Sequence, residues 1–138
     1  MSEAISNALR QWVIQQAGEC CEYCRLHQSH TLLPHHIDHI ISRKHGGQTE
    51  VGNLALACAD CNWAKGSDIA SVDSQTGQPI FFFHPRRQEW RDHFRLDQAH
   101  IAPLTPEGQV TAAILQFNTP QRIAERAALQ QLGLYPLE

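Results

Sequence analysis

No apolar run in this chain is long enough to cross a bilayer; the longest, Leu54 to Cys58 and Ile80 to Phe83, are strand-sized. The stretch from Met1 to Arg10 lacks the apolar core of a secretion signal. Both absences predict a cytoplasmic protein with no membrane partner, in a compartment where thiols stay reduced. An excess of positive charge is missing too: 11 Lys and Arg face 14 Asp and Glu, a formal charge of −3 with the nine histidines neutral. Overall charge therefore lends nucleic-acid binding no support, and any basic surface must be local. Repeats and low-complexity tracts are also lacking, which excludes array architectures.

What is present is a globular composition, 42% apolar and 18% charged over 138 residues, suited to one domain. A helix is expected over 5–17, with Ile5, Leu9, Trp12 and Val13 near one face and Gly18 as its stop. Between 35 and about 68 the pattern predicts a strand at His35–Ile41, a polar loop at Ser42–Gly52, a strand at Leu54–Ala57, a tight turn at Cys58–Cys61 and a helix from Asn62. Beyond a surface excursion at 71–78, a buried strand is expected at Ile80–Phe83 and a helix from Pro85 to about Phe94. Arg95–Ala102 is expected as a strand, Thr105–Gly108 as a β-turn, and Val110–Phe117 as the returning strand. Thr119 should cap a last helix, with Pro120 at its first position and its end near Leu132.

The five cysteines are odd in number and sit in two tight clusters, which suggests metal rather than disulfides. Cys21-x-x-Cys24 and Cys58-x-x-Cys61 each fold a turn that aims two thiolates at one point. Two such knuckles complete a closed, structural four-cysteine zinc site. Cys20 is then a spare, packed thiol. The interval between the knuckles exceeds that of a zinc ribbon, so something sizeable is threaded between them.

Between the knuckles lie His35-His36-Ile37-Asp38-His39-Ile40, Gly46-Gly47 and Asn53-Leu54, and after them Asn62 and Lys65. With the paired knuckles, this set resembles the HNH nucleases, also called ββα-metal nucleases, over residues 20 to about 68. The resemblance implies a small irregular α+β domain built on a hairpin and helix (core about 20–68, extension about 79–138). It implies a phosphodiesterase acting on DNA, with His39 as general base and Asn53 as its orienter. Asp38 and Asn62 would hold one catalytic ion, and an all-oxygen donor set favours Mg2+ or Mn2+ over zinc. A histidine near neutral pKa suits proton transfer from water. Asp38 and His39 are adjacent, so a regular strand would send them to opposite faces; one shared site requires the strand to bend or end there. His36 falls on the Asp38 face, as a further ligand, a phosphate contact or a half-exposed strand residue.

Arg43, Lys44 and Lys65 are expected to neutralise phosphates near the cut. Arg86, Arg87, Arg91 and Arg95 interleave with Trp90 and Phe94, which reads first as an ordinary amphipathic helix with its aromatics in the core. The alternatives to cleavage are a zinc-knuckle module that binds nucleic acid without cutting it, and a protein-interaction domain on the same scaffold. Asp38, His39, Asn53 and Asn62 together distinguish them, since a binder has no chemical need for all four.

Overall fold

The first helix starts where a serine can cap it. A computed structural model describes residues 4–137, so the start of the Met1–Arg10 stretch lies outside the described residues. Helix α1 (Asn7–Gln16) opens at Ser6, whose hydroxyl accepts the Leu9 N–H at 3.1 Å. Its Leu9, Val13 and Ile14 pack on Ile37, Leu54 and Leu56. Trp12 does not join them; it is 37% exposed and lies under the Arg86 guanidinium, 5.5 Å away.

Strands β1 (His36–His39) and β2 (Leu54–Ala57) form an antiparallel hairpin with Ile37 opposite Leu56, Asp38 opposite Ala55 and His39 opposite Leu54. All four β2 residues are buried because both faces are covered. One face meets α1 and the other faces the main core. The first cysteine turn docks along β2: Glu22 N–H donates to the Leu56 carbonyl and the Glu22 carboxylate accepts the Leu56 N–H, both at 2.8 Å.

Helix α2 (Ala59–Lys65) begins three residues earlier than the sequence suggested. The expected turn at Cys58–Cys61 is its first turn, because the Cys58 sulfur acts as N-cap and accepts the Cys61 N–H. The strand–loop–strand–helix order expected for 35–68 is the one observed.

The C-terminal half departs further from expectation. The polar excursion is the tip of a hairpin, β3 (Ala70–Val72) with β4 (Pro79–Phe81). Phe81 is exposed, and burial begins only at Phe82 and Phe83. Helix α3 covers only Trp90–His93, and Phe94 already starts a strand, so the 85–94 helix does not form. The single strand expected at 95–102 is a hairpin, β5 (Phe94–Asp97) with β6 (His100–Pro103), turning at Gln98 with φ 53°. Thr105–Gly108 is no β-turn: Thr105 caps helix α4 (Pro106–Ile114), which replaces the expected strand at 110–117. Gly108 is required there, since a Cβ would meet the His93 carbonyl oxygen at 2.4 Å. Helix α5 (Pro120–Gln131) follows Thr119 as expected.

One apolar cluster joins the two halves. Cys21, Tyr23, Cys24, Cys58 and Cys61 pack with Phe83, Phe94, Ile101, Leu115 and Phe117. Among the described residues, no helix is long and apolar enough to cross a membrane.

Candidate functional site

The four sulfurs of Cys21, Cys24, Cys58 and Cys61 lie within 4.8 Å of one another, all buried. Cys24 and Cys58 are 3.7 Å apart at sulfur. A tetrahedral zinc with bonds of about 2.3 Å needs sulfurs separated by nearly this distance, so the cluster fits zinc. The two knuckles are built alike: Cys24 N–H points at the Cys21 sulfur and Cys61 N–H at the Cys58 sulfur, each at 3.4 Å. Hydrogen bonds from Cys21, Cys58 and Cys61, helped by Arg122, hold the Cys24 thiol well below its usual pKa. Burial and its sulfur neighbours push Cys61 up. Ionising all four thiols together requires a cation of the kind zinc provides. Cys20 is buried and stands outside the cluster.

The C-terminal extension closes this centre. Arg122 of α5 places one guanidinium nitrogen 3.1 Å from the Cys61 sulfur and 3.8 Å from that of Cys58. Its other terminal nitrogen donates to the carbonyls of Leu115 and Gln116. Burial opposes its charge, but the thiols beside it hold the guanidinium protonated. Tyr135 donates to the Cys24 carbonyl and Trp90 to that of Tyr23, each at 2.7 Å. None of these contacts was legible in the sequence, because Arg122 and Cys61 are 61 positions apart with no linking motif.

On the hairpin, Asp38 is 4% exposed and closely engaged. Tyr23 donates to its Oδ2 at 2.7 Å, and the Lys65 ammonium lies 3.2 Å from the same oxygen. Burial raises the Asp38 pKa, while Lys65 and the Tyr23 hydroxyl pull it back. Lys65 also donates to the His39 carbonyl oxygen at 3.1 Å. The expectation that Lys65 meets phosphates is thereby corrected: it is 1% exposed and spent on this pair. The oxygen donors of Asp38 and Asn62 suit a hard divalent ion, and the carboxylate is already arranged to neutralise a cation.

The hairpin register sets Asp38 and His39 on opposite faces, Asp38 with Ala55 toward the main core and His39 with Leu54 toward α1. The strand ends at His39, and Ile40 and Ile41 are gripped by Asn53 instead. The Asn53 amide oxygen accepts the Ile41 N–H at 2.8 Å, and its NH2 donates to the Ile41 and Gln48 carbonyls at 2.9 Å each. This closes the loop that carries Thr49, whose hydroxyl is 2.9 Å from His39 Nε2 and accepts from Arg43 at 3.0 Å. Gly46 and Gly47 permit the closure: Gly46 has φ 87°, and a Cβ on Gly47 would overlap the Ile41 carbonyl.

Asn62 is half-buried on α2, three residues before Lys65. His36 is exposed at the start of β1, and Arg43 and Lys44 are exposed in a short 3-10 turn. His35 is buried, with Nε2 2.8 Å from the Leu26 carbonyl oxygen, so it braces the first knuckle.

Searches of curated proteins and of solved structures gave no match. Residues 21–68 match the family model of the HNH endonuclease. That span holds all four cysteines, the hairpin, its loop and α2. Over residues 21–68, about a third of its length, the chain is thus similar to the HNH endonuclease family, and a zinc-capable cysteine cluster lies within that span.

Proposed function

We propose that this protein is a metal-dependent endonuclease that hydrolyses phosphodiester bonds in DNA, with His39 as general base. The observation that carries this is the Asn53 lock. Three side-chain hydrogen bonds fix the loop whose Thr49 holds the His39 ring. Catalytic groups gain from being positioned in advance, and a loop fixed this closely behind a histidine serves that end. His39 would take a proton from water at an imidazole nitrogen, which requires the Thr49 contact to turn aside or relay it. Asp38 and Asn62 would hold an Mg2+ or Mn2+ ion. When bound, such an ion relieves charge on the scissile phosphate and the departing oxygen. Lys65 supplies that carboxylate with its positive charge otherwise, and keeps β1 and α2 together. Arg43 and Lys44, exposed beside the loop, would meet backbone phosphates; His36 stands near enough in sequence to assist.

A second function, binding nucleic acid without cutting it, is favoured by one observation: Asp38 is already paired and buried. Supercoiled plasmid incubated with zinc-loaded protein, with and without Mg2+ or Mn2+, separates the two. Metal-dependent conversion to nicked circle supports the endonuclease. Intact plasmid under every metal condition, with DNA still bound in a gel shift, assigns the binding role instead.

A further inference from the structure

Away from the hairpin, five arginines of this acidic chain come together. Arg25, Arg86, Arg87, Arg91 and Arg95 line one open cleft of about 820 Å3 between the first cysteine knuckle and residues 85–96. Only two acids, Glu22 and Glu89, share its walls, so the cleft is basic in a chain whose formal charge is −3.

Part of this cluster has a structural purpose. Arg86 grips the Glu22 carboxylate with both terminal nitrogens, and that carboxylate also secures β2. Arg25 stacks over Trp90 at 5.5 Å. Arg87, Arg91 and Arg95 are different: they are exposed and, among the described residues, in no ion pair. Like charges held together with so little counter-charge repel one another. They do not lie along one helix, since α3 spans only Trp90–His93; the chain's irregular path brings them to one cleft. Arg87 and Phe83 also line a second, apolar hollow whose walls include Ile40, just after β1, and Lys65.

We infer that this cleft is a phosphate-backbone track for nucleic acid, with Arg87, Arg91 and Arg95 as its phosphate contacts and Arg25 and Arg86 as its fixed floor. Guanidinium groups suit phosphate oxygens in geometry as well as charge. An open cleft of this volume exceeds the needs of a single phosphate and fits a chain of them. The inference rests on the proposed function for the nature of the polyanion, and not on cleavage.

The test is fluorescence anisotropy of a labelled DNA duplex with zinc-loaded protein, across a salt series and without added magnesium, so that cleavage plays no part. The triple variant Arg87→Gln, Arg91→Gln, Arg95→Gln should bind at least about tenfold more weakly, with the log–log salt slope reduced by about one per arginine. The matching triple Lys variant should keep the wild-type slope. Zinc content and thermal midpoint check that each variant is folded; if the Gln triple is not, the single variants Arg87→Gln, Arg91→Gln and Arg95→Gln decide, each expected to lower the slope by about one. Wild-type affinity and slope in the Gln triple, loss of binding in a folded Lys triple, or no duplex binding by the wild type would overturn the inference. Inorganic tripolyphosphate that binds as tightly as the duplex, with the same arginine dependence, would reassign the cleft to small polyphosphates. Plasmid nicking that fails while the arginine-dependent slope persists removes the nuclease and leaves the track standing.

Discussion

The Lys65 ammonium lies 3.2 Å from Asp38 Oδ2 and 3.1 Å from the His39 carbonyl oxygen, so one buried cation ties α2 to the last two residues of β1. Removing one partner of a buried ion pair strands the other. Lys65→Met should therefore destabilise the protein by about 3–5 kcal/mol, measured as a shift in the urea midpoint. Adding Asp38→Asn should recover much of that loss. A double variant as unstable as the sum of the single ones would show that the two groups do not interact.

Asn53→Ala leaves the Ile41 N–H and the Ile41 and Gln48 carbonyls without their side-chain partner. We expect a loss of about 1–3 kcal/mol of stability. Asn53→Asp should be nearly as damaging, because a carboxylate accepts the Ile41 N–H and cannot donate to the carbonyls. Amide hydrogen exchange at Ile41 reads this directly: it should rise sharply in the alanine variant, and unchanged protection would contradict the lock.

Zinc should be present at one ion per chain, and chelation should unfold the protein, since site formation and folding are coupled. The contact of Arg122 with the Cys58 and Cys61 sulfurs adds a sharper expectation. Arg122→Met should weaken zinc binding by about 10–100-fold, the usual cost of losing a group that supports metal ligands. Competition with a chromogenic chelator measures it. Wild-type affinity in that variant would mean the guanidinium only packs.

His84 carries a pH dependence with a definite sign. Burial first, and Arg87 next, lower its pKa from the usual 6.5, and its Nδ1 accepts the Arg86 N–H at 3.2 Å. The folded protein thus binds fewer protons than the unfolded chain just below 6.5. Stability from this group is complete above that value and is lost as pH falls toward the folded pKa. The imidazole proton resonance of His84 should titrate with its midpoint below 6.5. A midpoint above it would show that the ring is not held neutral.

The zinc ligands and the ββα order were legible because both are local: a knuckle is four residues, and strand–loop–strand–helix follows from turn signals and apolar runs. The helix at 106–114 was not, although Thr105-Pro106 carries the same cap-and-proline signal as Thr119-Pro120. With Gly108 two residues on, the pair also spells a β-turn. What decides for the helix is burial of Val110, Thr111 and Leu115 against distant partners. Long-range pairs were hidden for the same reason. Lys65 reads as an exposed helix lysine until Asp38 and Tyr23 are seen beside it. Nor does spacing alone disclose that Arg122 faces the cysteine sulfurs or that the arginines from 86 to 95 share a cleft with Arg25.

In the proposed endonuclease His39 performs the chemistry. The most direct measurement is the rate of supercoiled-plasmid nicking in Mg2+ by zinc-loaded wild type and His39→Ala, with duplex affinity measured alongside. The expected result is a rate lower by about 10²–10⁴-fold in the variant at comparable DNA affinity, the size usual for loss of a general base. Equal nicking by His39→Ala would contradict it.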